Sequence, residues 1–499
     1  MAGWGLTEQT TGAPSYVLAS WLFLRLLGVI YFAAFVSLAT QIRGLVGSNG
    51  ILPATDFLQS RRTWGLRRLN RIPTLCWLNA NDASLLFLSW SGAALSLLLI
   101  VGIAPMLVLI LLWIFYLSLF VVGRIFLGYQ WDILLLETGF LAVLAAPLEV
   151  WPHFPPVAEP PVIILWLLWW LLFRLMFSSG MVKLRSGDVT WRNLTALCHH
   201  YETQPLPTSL SWHAHQLPLR FHKMSAVVMF CIELFVPFLI FATPALRHVA
   251  ALLFILLMVL IQATGNYCFF NLLGVALSIL LLDDQVLQPA LGFLFAQAEL
   301  HSTPAPLILN WISVPVAVLL LIMSLPPVFR LFRLEINWPG PLQALFALLD
   351  PFHLVNSYGL FSVMTTERPE IIIEGSRDGV NWQAYEFKWK PGEVKRRPRF
   401  IAPHQPRLDW QMWFAALGYY PNNPWLRRFL MRLLEGSPPV LSLLRTNPFP
   451  HIPPRFVRAV FYDYRFTNRQ QRAATGAWWR REARGLYSPI LELHQSEGE

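Results

Sequence analysis

Nine stretches of this chain are almost pure hydrocarbon: residues 16–40, 83–103, 105–122, 133–147, 161–177, 224–243, 248–263, 267–282 and 306–329. Most approach the ~20 residues needed to cross the apolar core of a bilayer. Inside that core the backbone must satisfy its own hydrogen bonds, so each stretch reads as a helix. The expected fold is a polytopic α-helical membrane protein of about nine spans. Two of the stretches, 133–147 and 248–263, are short enough to be buried or re-entrant instead. A weaker amphipathic piece at 288–300 is expected to lie at the interface. Composition agrees: 55% of the 499 residues are hydrophobic and 13% charged, where a soluble domain has about twice that charged fraction.

The charges sort by loop. Arg43, Arg61, Arg62, Arg67, Arg68 and Arg71 lie between the first two spans, Arg124 follows the third, and Lys183, Arg185, Arg192, Arg220 and Lys223 follow the fifth. Loops of the other parity carry Glu149, Glu159, Asp283, Asp284 and Glu299, with Arg247 as the exception. Polar loops 41–82 and 179–223 therefore share a face with everything after residue 335, and the positive-inside rule places that face in the cytoplasm. The net charge of +10 is a matter of topology, because no nucleic-acid recognition motif accompanies it. Residues 1–15 lack a basic n-region, so the first apolar stretch is expected to be a signal anchor and not a cleaved signal. The last six residues, 494–499, carry no retention or lipidation motif.

Residues 1–335 form the expected membrane domain, and from about residue 350 the character changes. Residues 358–366 and 371–374 read as strands. Ser376-Arg377-Asp378-Gly379 is a turn signal, and 380–388 alternates as a strand does, which makes a hairpin. Residues 408–417 and 425–434 read as amphipathic helices, and 456–466 as a further strand. This is a C-terminal α+β domain over 350–499, large enough to hold its own core.

Several motifs carry a family resemblance. They are Gly128-Tyr129-Gln130-Trp131-Asp132, running on to Glu137-Thr138-Gly139-Phe140; Tyr201-Glu202-Thr203-Gln204-Pro205; and Asn266-Tyr267-Cys268-Phe269-Phe270-Asn271. Arg368-Pro369-Glu370-Ile371, Ala402-Pro403-His404-Gln405-Pro406-Arg407-Leu408-Asp409-Trp410 and Gly476-Ala477-Trp478-Trp479 complete the set. Over residues 20–490 the chain resembles the lipase maturation factor family. That resemblance implies a multi-pass protein of the endoplasmic reticulum that helps secreted dimeric lipases fold and assemble. It also implies that the large loops face the lumen, so it agrees with the charge pattern on relative sidedness and differs on the absolute side. In a prokaryote the membrane would be the inner or plasma membrane. A second, shorter stretch, from Ser179-Gly180 through Lys183-Leu184 to Trp191, is similar to vitamin K-dependent carboxylase-like membrane domains, whose corresponding lysine is a catalytic base.

Each candidate site has a plain reading beside the functional one. Lys183 either snorkels to the headgroups or, desolvated against Phe177 and Trp191, serves as a general base with His199 and His200 as proton carriers. Asp132 and Glu137 lie in or beside a span and need partners, for which Arg124 and Arg174 are the candidates. Glu233, Asn266 and Asn271 read as polar contacts between helices. His404, Gln405, Arg407, Asp409, Trp410 and Trp413 form a polar and aromatic cluster entering a helix. That cluster either packs the C-terminal domain onto the membrane part or recognises clients. Asn193-Leu194-Thr195 is a glycosylation sequon, relevant if its loop is lumenal. Cys76, Cys198, Cys231 and Cys268 form no CxxC motif, and no zinc-ligand spacing, P-loop or nucleophile elbow is present. Neither metal nor cofactor is expected. The function expected is a membrane-embedded maturation factor whose partners are the lipid membrane and client proteins, with an integral-membrane enzyme using Lys183 as the alternative.

Overall fold

The computed structural model describes residues 14–295 and 303–493. The readings made above for residues 1–13, for Glu299 and for 494–499 lie outside the described residues. In chain order the bundle comprises α1 (Val17–Ala39), α2 (Asp82–Val101), α3 (Pro105–Gly123), α4 (Gln130–Ala145), α5 (Val162–Arg185) and α6 (Leu219–Leu234). Then follow α7 (Pro244–Thr264), α8 (Phe270–Ile279), α9 (Asp284–Leu291) and α10 (Leu307–Leu331). Among the described residues seven helices are long and apolar enough to cross a membrane, or eight if α8 and α9 count as one span.

The difference from nine has two causes. The stretch expected at 133–147 is α4, a 16-residue helix that buries Asp132 and Glu137 among its neighbours. The stretch at 267–282 is broken, with α8 and the α9 segment bent by 112°. The short run at 248–263, by contrast, extends to the 21 residues of α7. The amphipathic piece begins as α9 and continues as a 3₁₀ turn, Gly292–Phe295.

Local chemistry sets the helix ends. Asn81 caps α2 by accepting from Ser84 N at 2.9 Å, and Gly102 closes it in the left-handed region. The N-terminus of α1 is capped from a distance: Asp284 accepts from Val17 N at 3.1 Å and Leu18 N at 2.8 Å. A carboxylate is favoured at that end of the helix dipole. The same end of the bundle is tied by Ala104 N to Val150 O (2.8 Å), Glu159 N to Thr303 O (3.0 Å) and the His248–Asp283 contact (3.1 Å). The large polar loops and the C-terminal domain gather at the opposite end.

Between α10 and that domain runs α11 (Gly340–Leu349), and then a 3₁₀ turn, Asp350–Phe352, leads into an irregular segment that turns back among the spans. Phe352 stacks on Trp113 of α3, and Asn356 meets Glu137 of α4. Irregular backbone at membrane depth survives only when protein groups satisfy it. Here Glu137 accepts from Asn356 N at 2.8 Å, and Arg174 donates to Asn356 O at 3.1 Å. The strand expected at 358–366 is not formed: there Phe361 O accepts from Trp191 Nε1 at 3.0 Å and Met364 N donates to Asp188 at 2.5 Å, side chains standing where a sheet partner would.

The C-terminal sheet is antiparallel, in the order β3-β2-β1-β4-β5, with β6 pairing β4 beyond the end of β5. Its strands are β1 (Arg368–Ser376), β2 (Gln383–Phe387), β3 (Leu444–Thr446), β4 (Phe456–Phe466), β5 (Trp479–Leu486) and β6 (Leu491–Glu492). The β1–β2 hairpin turns where its sequence says, with Gly379 at φ +75° and Asp378 accepting from Val380 N and Asn381 N. Helices α12 (Arg407–Ala416) and α13 (Pro424–Leu434) complete the domain. Phe387, Phe429, Leu430, Val457 and Ala459 are buried in its core.

Candidate functional site

The polar groups buried at the large-loop end form one connected junction between membrane helices and C-terminal domain. Its centre is Asp132, in the first turn of α4. The carboxylate receives two hydrogen bonds from Arg407 of α12, at 2.8 and 2.9 Å, and one from Tyr116 of α3. Arg407 also donates to Phe126 O at 2.6 Å. Both charged side chains are 0% exposed. Burial works to lower the Arg407 pKa, but the adjacent Asp132 carboxylate outweighs it, and the net displacement is upward. Arg124, one of the two arginines named as candidate partners for the carboxylates, lies instead over the Phe57 ring on the outside of the helix end. A bidentate Arg–carboxylate pair held in apolar surroundings is the stronger arrangement.

Around that pair, α1 supplies Ser37 and Gln41. Gln41 donates to Gln405 O at 2.8 Å and accepts from Arg407 N at 2.9 Å, and Ser37 accepts from Gln405 N at 2.9 Å. His404 Nδ1 is 2.9 Å from Ser37 Oγ, and burial, followed by the charges of Arg407 and Lys388, pushes its pKa down to about 4. Asn266 joins three segments: its side chain donates to Leu206 O and Arg399 O and accepts from Ile401 N. Trp413 Nε1 donates to Thr203 O at 2.8 Å. Asp409 holds Trp389 N and Lys390 N at 2.8 Å each, and burial raises its pKa against those two donors. Gln405, Arg407, Asp409, Trp410 and Trp413 are all buried and His404 is half-buried, so in this conformation they face the membrane part and their own domain. At the far end of α12, Phe414, Leu417 and Tyr419 are exposed.

Two further ion pairs lie in the bundle. Arg174 of α5, the other candidate partner, pairs with Glu137, and Tyr358 and Asn356 donate to the other carboxylate oxygen at 2.6 and 3.0 Å. Lys183 is buried at the end of α5 and donates to both oxygens of Glu233 in α6, at 2.7 and 2.6 Å. Its ammonium stands 5.7 Å from the Trp191 ring centroid. It therefore points inward and does not snorkel. Asn271 donates to Gln262 at 3.0 Å.

His200, on the loop helix Ala196–Thr203, lies within reach of the Lys183 charge. Burial and then the Lys183 charge push its pKa down to about 4. Its Nε2 is 3.2 Å from Tyr267 Oη, which donates to Gln204 at 2.7 Å. His199, the next residue back on that helix, is half-buried like His200. Among the described residues no group of His, Cys, Asp and Glu is arranged to hold a metal ion, and all four cysteines are free.

Sequence reasoning missed a third cluster. Arg368 of β1 is fully buried and donates to the carbonyls of Glu202, Gln204 and Pro205, as well as to Glu370 at 2.8 Å. Lys390 closes on the same Glu370, also at 2.8 Å. The Glu202 carboxylate accepts from Phe466 N at 2.8 Å. The available signal was the polar density of 201–205 itself, which has to meet something once its loop is covered.

A bundle of membrane helices fused to an α+β domain through buried ion pairs and carbonyl contacts defines a polytopic membrane protein with a docked soluble domain. Two family models match it. The lipase maturation factor transmembrane domain covers residues 18–289, and the lipase maturation factor C-terminal domain covers 354–489. The chain belongs to the lipase maturation factor family. It is 37% identical to lipase maturation factor 2 of Gallus gallus, over 95% of this chain and 81% of that protein. Against lipase maturation factor 2 of Homo sapiens the identity is 36%, over 95% and 82% of the two chains. Against lipase maturation factor 1 of Homo sapiens it is 35%, over 97% and 90%. No solved structure matches the chain.

Proposed function

We propose that this protein is a membrane-embedded maturation factor that assists the folding and assembly of secreted clients, lipases by kinship. In a eukaryote it would act in the endoplasmic reticulum membrane with the large-loop face in the lumen. The observation that carries this reading is that the kinship spans both halves of the chain, and the two halves share one buried polar junction centred on Asp132–Arg407. Such a junction supports a rigid platform, on which a partly folded client is held through exposed apolar surface and released as that surface is buried. With the earlier client-binding candidates, His404 to Trp413, turned inward, the reading assigns client contact to their exposed neighbours Phe414, Leu417 and Tyr419. Site-specific photocrosslinking tests it. A photoreactive residue at Tyr419 should capture a co-expressed secreted dimeric lipase while it is newly made and not once it is mature. Absence of any lipase adduct contradicts the reading.

A second reading is favoured by one observation, a buried Lys183–Glu233 pair whose lysine charge reaches His200, itself 3.2 Å from Tyr267 Oη. Under it the chain is a membrane enzyme with Lys183 as general base. The base would have to give up its proton and leave Glu233. Lys183→Arg separates the readings, because Arg keeps the ion pair and cannot deprotonate. A platform keeps most of its function with Arg, and an enzyme loses it.

A further inference from the structure

The face at the large-loop end carries a group of arginines that the junction does not use. Arg61, Arg62, Arg67, Arg68 and Arg71 lie on the short helical turns after α1, with Arg124 at the end of α3. Among the described residues no carboxylate stands within 4.0 Å of any of them, although Arg43 and Arg432 nearby in sequence or space do find acidic partners. Arg68 Nε is buried without a hydrogen-bond partner. Three of the guanidiniums lie over aromatic rings: Arg61 on Trp64 (5.0 Å), Arg68 on Trp77 (4.7 Å) and Arg124 on Phe57 (5.1 Å). This much positive charge without counter-ions is unfavourable unless an anionic partner meets it.

The same segment is apolar between its charges and is held at membrane level. Trp64, Leu66, Leu69, Leu75 and Leu78 are exposed, Leu66 by 85% and Leu78 by 87%. Thr74 Oγ1 and Leu75 N both bond Ser118 of α3 at 3.0 Å. Ser118 lies ~7.5 Å inside the α3 end, at ~1.5 Å per residue. Leu75 is therefore tied inside the end of α3, at a level where an exposed leucine meets acyl chains.

Helix α11 adjoins this patch, with Asn70 Nδ2 donating to Leu348 O at 3.3 Å. It reads GPLQALFALL, contains no charged side chain and has no buried residue. An apolar helix that packs Phe346 and Leu349 inward and leaves Leu348 exposed beside an arginine ridge fits the acyl chains and the phosphates of one lipid layer. An acidic protein segment would satisfy the arginines and leave α11 in water.

We propose that this ridge, Arg61 to Arg71 with Arg124, together with α11, is a binding surface for phospholipids with anionic headgroups, in the leaflet on the large-loop side. The arginines engage the phosphate and headgroup charge, and α11 with Leu75 and Leu78 engages the chains. The surface is independent of the client reading and of Lys183.

The test is native mass spectrometry of the purified full chain in mild detergent, titrated separately with phosphatidylglycerol, phosphatidylcholine, inorganic phosphate and a polyglutamate peptide. The natural protein should retain phosphatidylglycerol about tenfold more tightly than phosphatidylcholine and should retain neither phosphate nor peptide. In R61Q/R62Q/R67Q/R71Q the preference should fall to about twofold or less. If that variant loses its cooperative melt, the pair R67Q/R71Q is read instead, with a preference reduced about threefold. Equal retention of the two lipids, an unchanged preference in the variants, or capture of free phosphate or polyglutamate in place of lipid would each overturn the proposal.

Discussion

Arg407 of the C-terminal domain and Asp132 of the membrane bundle are joined by two hydrogen bonds, at 2.8 and 2.9 Å, and neither side chain has exposed surface. Residues 275 positions apart in the chain thus form a single buried pair. Breaking such a pair from one side leaves an uncompensated buried charge, at a cost of about 3–5 kcal/mol. Arg407→Ala and Asp132→Ala should each lower the melting temperature of the detergent-solubilised protein and release the C-terminal domain to limited proteolysis. The double variant Asp132→Leu with Arg407→Met should recover much of that loss.

A steric prediction concerns the same docking. A Cβ on Gly44 would meet Pro439 O at 2.5 Å and Leu443 Cδ1 at 2.8 Å, where the loop after α1 touches the C-terminal domain. Gly44→Leu should cost about 1–3 kcal/mol by overpacking. It should increase cleavage between the domains, while the control Gly340→Ala, whose site is open and whose backbone is not left-handed, should increase it less. Protease mapping of the two variants checks this.

The pH dependence has a defined sign. Burial pushes the pKa of both His200 and His404 down to about 4, from an ordinary value near 6.5. Above pH 6.5 both are neutral whether the protein is folded or unfolded, and they add no pH dependence. Between pH 6.5 and 4 the unfolded chain binds protons that the folded one refuses, so stability falls as pH falls through that window. Melting temperature measured from pH 7.5 to 4.5 should drop steadily below about 6.5. The drop should be shallower in His200→Gln and His404→Gln.

Lys183 donates to both oxygens of Glu233, and removal of either partner strands the other. Lys183→Ala should destabilise the protein by about 3 kcal/mol, while Lys183→Met with Glu233→Leu should restore the melt. If client activity returns with the melt, the pair is structural. If the melt returns without activity, the lysine does chemistry.

Much of this was legible in the sequence, because hydrophobic blocks, turn signals and strand alternation are local. The apolar runs marked the long helices, and Asp378-Gly379 marked the hairpin. That Asp132 and Glu137 need cationic partners was readable from charge inside hydrocarbon, and Arg174 was one of the two candidates, though which arginine meets which carboxylate was not. What was not legible is tertiary. Nothing near Asp132 in sequence names Arg407, and Arg124, the nearer choice, is held outside by its place at a helix end. Residues 358–366 have strand-like composition, but side chains of other segments meet their backbone, Trp191 donating to Phe361 O and Asp188 accepting from Met364 N. The cluster entering α12 carried both its readings until its burial was seen. Ser37 and Gln41 sat in plain view, i and i+4 at the end of an apolar helix, as a polar pair waiting for an uncapped segment.

The account rests on client maturation, and one measurement addresses that directly. A secreted dimeric lipase is expressed in cells lacking this protein and its relatives, with and without the chain, and secreted lipase mass and activity are measured separately. Activity per unit mass should rise severalfold with the natural chain and with Lys183→Arg, and should not rise with Arg407→Ala. Equal specific activity with and without the chain would contradict the account.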